Sequence, residues 1–240
     1  MVDEEVEVKI QRVVADPKLS LKRFSQYMVA TENGKSRILR GCKYPSGYVP
    51  MFYEMARKLI CDTFAANFED NDLYFEEFKR RAQIYRNEAK AYAENRDGFK
   101  NRVYSAMGLD KICAMSSLLI SILNKYTLNS NLAHKKDAIT KNGVRIGAMA
   151  DMLMYEDAGA TQVGYLKFNF TTKEMSAVEA HTMLFVLNEF FTSKGVKLNP
   201  ASCILIDVFA GRIFTAANMS DIMLQVDKST LEIIKSWDLL

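Results

Sequence analysis

The pattern of hydrophobic residues changes once along this chain, near residues 141–143. Before that point, apolar residues recur at spacings of three and four, the period of a helix that packs one face against a core. The clearest stripe is Phe78, Ala82, Tyr85, Ala89 and Tyr92. After that point, short runs rich in β-branched and aromatic residues alternate with turn-forming residues, as is typical of strands. The sequence therefore predicts helices first and a sheet second.

Capping and turn residues give approximate bounds to these elements. Ser20 is expected to cap a first helix, and Pro50 to occupy the first turn of a helix over 51–67. Two further helices are predicted over 73–96 and 101–126. Beyond them come strands over 144–155 and 162–170, a helix over 177–193, strands over 203–208, 212–216 and 222–226, and a last helix.

Two capping boxes support the helices of this second half, Ser176 with Glu179 and Ser229 with Glu232. The order of elements, helices followed by β-β-α-β-β-α, predicts an α+β fold with helices on one mixed sheet. We expect a helical region over residues 1–140 and an α/β core over 141–240, packed as one unit.

Composition narrows the class of protein. Apolar residues make up 49% of the chain and charged residues 25%, which is ordinary for a globular protein. The chain lacks the uninterrupted apolar run that a membrane-spanning helix needs, and its start is acidic, unlike that of a signal peptide. The 4 cysteines are isolated, which favours free, mostly buried thiols over zinc sites or disulfides. These features predict a cytoplasmic protein without a membrane partner.

Positive charge is concentrated near the N-terminus. Residues 9–58 contain eleven lysines and arginines but only three acidic residues, whereas the whole chain has a net charge of +3. Such a segment suits a polyanionic partner, because cations that neutralise phosphates release counterions. A solvated basic surface without a partner is the alternative. We assign DNA or RNA binding to Arg37, Arg40, Lys43, Arg57 and Lys58.

One carboxylate and one lysine lie on the two predicted strands that begin the sheet. The stretch 144–151 ends in Asp151, and after a turn the stretch 164–168 contains Lys167. This arrangement resembles the core of the PD-(D/E)XK nuclease superfamily, most closely its RecB-like and lambda-exonuclease-like branches. The resemblance covers about residues 144–216 and implies a restriction-endonuclease-like core. The helix over 177–193 and the strand over 203–208 match those that follow the lysine strand in the family.

The resemblance implies a metal-dependent phosphodiesterase site. Asp151 matches the aspartate that holds Mg²⁺ or Mn²⁺, and Lys167 matches the catalytic lysine that positions water. Tyr165 stands two residues before the lysine, where the family has Glu or Asp. A substitute acid is then needed, and Glu179 or Glu54 are the candidates. Without one, the fold is retained without hydrolysis and Lys167 contacts phosphate or solvent.

Three interpretations of function follow. The first is a nucleic-acid-handling protein with a nuclease-like core, active or inactive, which by analogy with the family serves in phage defence, mobile elements or DNA repair. The second is a non-catalytic interaction or scaffold subunit that uses the aromatic-rich helices over 64–92 and the 13 methionines to bind a protein partner. The third is a small-molecule enzyme that uses Tyr165, His181 and Asp207.

Overall fold

The first half of the chain is mostly helical in the computed structural model, which describes residues 12–46, 52–218 and 220–240. A two-residue strand, β1 (Lys18–Leu19), precedes the first helix. The helices described in this half are α1 (Leu21–Met28), α2 (Glu32–Lys43), α3 (Glu54–Phe64), α4 (Asp72–Ala89), α5 (Asp97–Ala114) and α6 (Ser116–Leu123). The hydroxyl of Ser20 accepts a hydrogen bond from the backbone N–H of Arg23 at 3.2 Å, which confirms the predicted cap of α1.

The second half contains most of the strands and two long helices. Its elements are β2 (Thr127–Ser130), β3 (Ala138–Lys141), β4 (Val144–Gly147), β5 (Met152–Glu156), β6 (Thr161–Asn169), α7 (Ala177–Ser193), β7 (Cys203–Asp207), β8 (Arg212–Thr215) and α8 (Ser220–Trp237). They complete an α+β fold, as predicted. The strands form two sheets instead of the single sheet expected, one in the order β1-β4-β3 and the other β2-β5-β6-β7-β8. In the larger sheet β6 and β7 are parallel and the other neighbours antiparallel, so that sheet is mixed.

The five-stranded sheet separates two hydrophobic cores. Tyr165 and Leu205 belong to one core, together with residues of α1, α2, α7 and α8. Leu166 and Ile206 belong to the other, together with residues of α3 to α6. Consecutive strand residues point to opposite faces, so these cores lie on opposite sides of the sheet. Both the helical region and the later α/β region contribute to each core.

The stretch 144–155, predicted to be one strand, forms two strands that belong to different sheets. β4 ends at Gly147, β5 begins at Met152, and the four residues between them cross from one sheet to the other. Asp151 closes this crossing, because its backbone N–H donates to the carbonyl of Leu166 at 2.9 Å. Asp151 therefore immediately precedes β5 and lies at one end of the five-stranded sheet.

The long predicted helices are shorter or bent. The helix expected over 73–96 ends at Ala89, and the one expected over 101–126 is two helices, α5 and α6, that meet at an angle of 73°. Within the described ranges, no single helix is both long and apolar enough to cross a membrane. The bent pair α5 and α6 has that length and composition only when the two helices are taken together. α3 covers most of the helix predicted over 51–67, while Pro50 lies outside the described residues.

The end of the chain differs most from the prediction. Residues 222–226, expected to be a strand, lie inside α8, and the Ser229–Glu232 box lies in the middle of that helix. Ile222, Val226, Ile233 and Trp237 are buried, at spacings of four, seven and four. These spacings belong to one helical face, which packs on α7 and α2.

Candidate functional site

Asp151 fills a gap in the five-stranded sheet. β5 begins at Met152, which pairs with Leu166, so the backbone of Phe168 extends past the end of its neighbouring strand. One carboxylate oxygen of Asp151 accepts a hydrogen bond from the N–H of Phe168 at 2.7 Å. The guanidinium of Arg57, on α3, lies 3.5 Å from the carbonyl oxygen of the same residue. Two side chains thus satisfy backbone groups that a longer β5 would have paired.

Lys167 and Arg57 both bind the other oxygen of this carboxylate. The Nζ of Lys167 lies 3.1 Å from Asp151 Oδ1, and a guanidinium nitrogen of Arg57 lies 3.7 Å from it. The Asp151 side chain is fully buried, that of Lys167 is 11% exposed and that of Arg57 is 31% exposed. A buried carboxylate needs such partners, because desolvation of an unpaired charge is costly. We call Arg57, Asp151 and Lys167 the ion cluster.

Burial controls the protonation behaviour around the ion cluster. Desolvation lowers the pKa of Lys167, repulsion from Arg57 lowers it further, and attraction to Asp151 opposes both effects. The neighbouring Cys61, on α3, is buried, and desolvation together with the Asp151 charge raises its pKa. The Cys61 thiol is therefore not an activated nucleophile.

Tyr165, at the position where the nuclease resemblance would require an acid, is bonded to α7. Tyr165 is fully buried, and its hydroxyl lies 2.9 Å from the carbonyl oxygen of Leu184 and 2.6 Å from Asn188 Oδ1. Its ring stacks on Phe191, with ring centroids 5.4 Å apart. This position therefore binds the helix behind the sheet and provides no ligand for a cation.

Neither candidate substitute acid contacts the ion cluster. Glu179 forms the predicted capping box, in which its Oε2 accepts hydrogen bonds from the backbone N–H and the hydroxyl of Ser176 at 2.9 and 2.8 Å. Glu54 forms an ion pair with Lys135 at 3.4 Å. Among the residues that the structure describes, no three His, Cys, Asp or Glu side chains form a group able to hold a metal.

These side chains do not fit the Mg²⁺ or Mn²⁺ expected from the resemblance to the nuclease superfamily. Such ions require several oxygen ligands, and their carboxylates cannot be fully engaged with cations. Asp151 is the one carboxylate of the ion cluster, and it already binds two cationic side chains and a backbone N–H. We derive no hydrolytic step from this site.

The predicted nucleic-acid-binding residues are divided among different surroundings. Arg37 and Arg40 are exposed on α2. Lys43 donates to the carbonyl of Trp237 at 2.7 Å, so it holds the end of α8. Arg57 belongs to the ion cluster, and Lys58 forms an ion pair with Asp62 on the same helix. Because α2 packs on one core and α3 on the other, the five residues do not form one continuous basic surface.

The three residues of the small-molecule hypothesis make separate contacts. Asp207 is buried at the end of β7, where it accepts hydrogen bonds from the Asn169 amide at 3.1 Å and from the N–H of Met175 at 2.9 Å. The ring of His181 packs edge-on against Phe214. Tyr165 is bonded to α7, as described above. No contact joins Tyr165, His181 and Asp207 in the described structure.

Sequence reasoning brought Asp151 and Lys167 together but missed two cationic neighbours. It assigned Arg57 to a nucleic-acid surface, and no local signal connects a residue of α3 with one ninety-four positions later. It also passed over Lys22, whose pKa is lowered by partial burial and then by the nearby Arg57 and Arg23. Similarity to known proteins supplies no assignment, since no protein-family model and no curated protein matches this chain.

Proposed function

We propose that this chain is a nucleic-acid-handling protein whose nuclease-like core contacts phosphate groups without metal-dependent hydrolysis. The observation that carries the proposal is the ion cluster, in which the motif carboxylate is paired with Lys167 and Arg57 instead of being free for a metal. The partly exposed Arg57 guanidinium suits a phosphate, which it can bind through two parallel hydrogen bonds.

The connectivity around the ion cluster supports a restriction-endonuclease-like core. Asp151 immediately precedes β5, Lys167 lies on the antiparallel neighbour β6, α7 follows, and β7 returns parallel to β6. The proposed family has a helix and then a strand after its lysine strand, as this chain does. The carboxyl ends of β6 and β7 lie side by side, which is where open α/β sheets bind ligands.

The exposed arginines of α2 support contact with a polyanion. Arg37 and Arg40 are exposed, and neither guanidinium group forms an ion pair or hydrogen bond with another described residue. Exposed cations of this kind contribute affinity that depends steeply on salt and little on base sequence. The free thiols of all 4 cysteines agree with the cytoplasmic location that we propose. A role in phage defence, mobile elements or DNA repair remains our analogy with the nuclease family.

Binding is tested by fluorescence anisotropy with labelled single- and double-stranded DNA and RNA. We expect affinity to fall steeply between about 50 and 200 mM salt. The variant Arg37→Gln/Arg40→Gln should bind more weakly, and the slope of log affinity against log salt should decrease by about two. The matched control is Lys79→Gln/Lys228→Gln, which removes the same charge from exposed positions on α4 and α8. Binding that is absent, insensitive to salt or equal in the two double variants would contradict the proposal.

Hydrolysis is tested separately on the same nucleic acids with Mg²⁺ and with Mn²⁺. The proposal predicts no cleavage by the wild-type chain, and none by Tyr165→Glu, because an acid at that position faces α7. Divalent-dependent cleavage that disappears in a folded Asp151→Asn variant would overturn the non-hydrolytic part of the proposal. It would restore Asp151, Lys167 and Glu179 as catalytic candidates.

The second candidate is a non-catalytic interaction subunit, and one observation favours it. Leu224 and Leu231 on α8 are 72% and 51% exposed, and their spacing of seven places them on one face of the helix. By contrast, the aromatic-rich helices over 64–92, which this interpretation used, bury their apolar stripe in a core, since Phe78 and Ala82 are buried. Absence of nucleic-acid binding, together with co-purification of a defined protein that Leu224→Glu releases, would favour this candidate.

A further inference from the structure

A cleft beside the ion cluster has the composition of an anion site. Its volume is about 220 Å³, and it lies between α1, the loop that follows β6 and the first turns of α7. Its polar lining includes Lys22 and Gln26 from α1 and Asn169 and Thr171 from the end of β6 and the loop. We call it the α1–α7 cleft.

The two lysine side chains that line the cleft have no bonded partner in the described structure, whereas its two glutamate side chains do. Lys22 and Lys173 line the cleft, and among the described residues neither ammonium has a hydrogen-bond or ion-pair partner. Glu174 is paired with Arg212 at 2.5 Å, and the Glu179 carboxylate accepts two hydrogen bonds from Ser176. Lys22 and Lys173 are therefore the cations of the lining whose ammonium groups have no bonded partner within the described ranges, while Glu179 keeps its negative charge and attracts Lys22.

The cleft adjoins the ion cluster through β6. Asn169 lies two residues after Lys167 on the same face of that strand, and its amide is held by Asp207 at 3.1 Å. On the opposite wall, Lys22 is close enough to Arg57 for their repulsion to lower the pKa of Lys22, after the larger effect of burial. Lys22 and Arg57 are thus neighbours at this end of the sheet, and Arg57 in turn neighbours Lys167.

We propose that the α1–α7 cleft binds a phosphate group, with the Lys22 ammonium as its charged contact and the Gln26 amide as a polar neighbour. Phosphate suits the site, because its oxygens are strong acceptors and the lining offers an ammonium and an amide as donors, whereas the Thr171 hydroxyl already donates to Asn169 Oδ1. Val29, Ala30 and Met183 also line the cleft and suit an attached apolar or planar group. The phosphate belongs either to a nucleic-acid strand, which rests on the proposed function, or to a free nucleotide, which does not.

The test is calorimetric titration of the full chain with inorganic phosphate, with a mononucleotide and with a short single strand. Lys22→Gln should weaken every ligand that enters the cleft by about tenfold or more, the value of one charged hydrogen bond. The control Lys228→Gln removes the same charge from an exposed position of α8. Equal melting temperatures of the two variants will show that both are folded.

The outcomes separate the two proposals. Failure of the wild-type chain to bind either phosphate or the mononucleotide overturns the cleft proposal, as does equal binding by the two variants. Binding of the mononucleotide that needs Lys22, without any binding of the strand, supports the cleft and refutes the nucleic-acid function. Strand binding that depends on Arg37 and Arg40 but not on Lys22 leaves the nucleic-acid function standing and refutes the cleft.

Discussion

Removal of the Asp151 carboxylate should be the most damaging single change in the ion cluster. Asp151→Ala leaves the N–H of Phe168 unpaired and leaves Lys167 buried without its anion. Breaking a buried ion pair from one side costs about 3–5 kcal/mol. The free energy of unfolding of the whole domain is about 5–15 kcal/mol, so this loss is a large share of it.

Removal of the lysine from the same pair should cost much less. In Lys167→Met the Asp151 carboxylate still forms its ion pair with Arg57 and its hydrogen bond with the N–H of Phe168. In the wild-type chain the pKa of Lys167 is lowered, which indicates that the cost of desolvating the ammonium offsets much of its attraction to Asp151. We expect a loss below about 1.5 kcal/mol. The double variant should lose less than the sum of the single variants, because no buried ammonium is left unpaired.

Urea unfolding followed by circular dichroism measures these free energies, with the exposed Asp238→Ala as control, expected to change stability by less than about 0.5 kcal/mol. A loss below about 1 kcal/mol for Asp151→Ala would refute the structural role of the carboxylate. The pH dependence gives a second check. Because the folded pKa of Lys167 is below 10.5, the unfolded chain binds more protons between the two values, and stability rises with pH there. Lys167→Met should lack that rise, and an equal rise in this variant would contradict the argument.

Two further predictions concern a close contact and the cleft lysine. Gly164→Ala should destabilise the fold by about 3 kcal/mol or more, because its Cβ would lie 1.9 Å from the backbone oxygen of Ser202. The control Gly41→Ala has open space around its Cβ and should leave stability unchanged or raise it. Thermal melts in which Gly41→Ala is the less stable variant would contradict this. Phosphate affinity should fall as the pH rises through the pKa of Lys22, which is lowered below 10.5, because the ammonium then loses its charge. A phosphate monoester has a second pKa of about 6, so its own charge does not change above about pH 8. Titrations that show constant affinity up to pH 10.5 would exclude Lys22 as the contact.

Local signals in the sequence were sufficient for several elements. The Ser176–Glu179 box and the periodicity after it predicted α7 with its bounds, because caps and helical spacing act within one or two turns. The buried run of β7 was equally clear. An informative local signal was passed over at residues 142–143, where an Asn-Gly turn with positive φ at both residues joins β3 to β4.

The site was predictable only in part. The placing of Asp151 and Lys167 on consecutive extended segments predicted that the two side chains would meet. The Nζ of Lys167 lies 3.1 Å from Oδ1 of Asp151. The motif also predicted a metal ligand set with Glu179 or Glu54, and those carboxylates bind Ser176 and Lys135 instead. Whether a carboxylate is free or already paired depends on which distant side chains reach it, and sequence spacing holds no information on that.

The sequence by itself determined a helical first half followed by a half that contains most strands, the capped helix behind the sheet, and the placing of an acid and a lysine on neighbouring segments. These features depend on interactions between residues close together in the chain. Only the tertiary structure decided that residues 144–155 divide between two sheets, and that β5 stops short of Phe168. The gap left there is filled by Arg57 from a distant helix, because buried backbone groups and a buried carboxylate must find partners wherever the packed chain provides them.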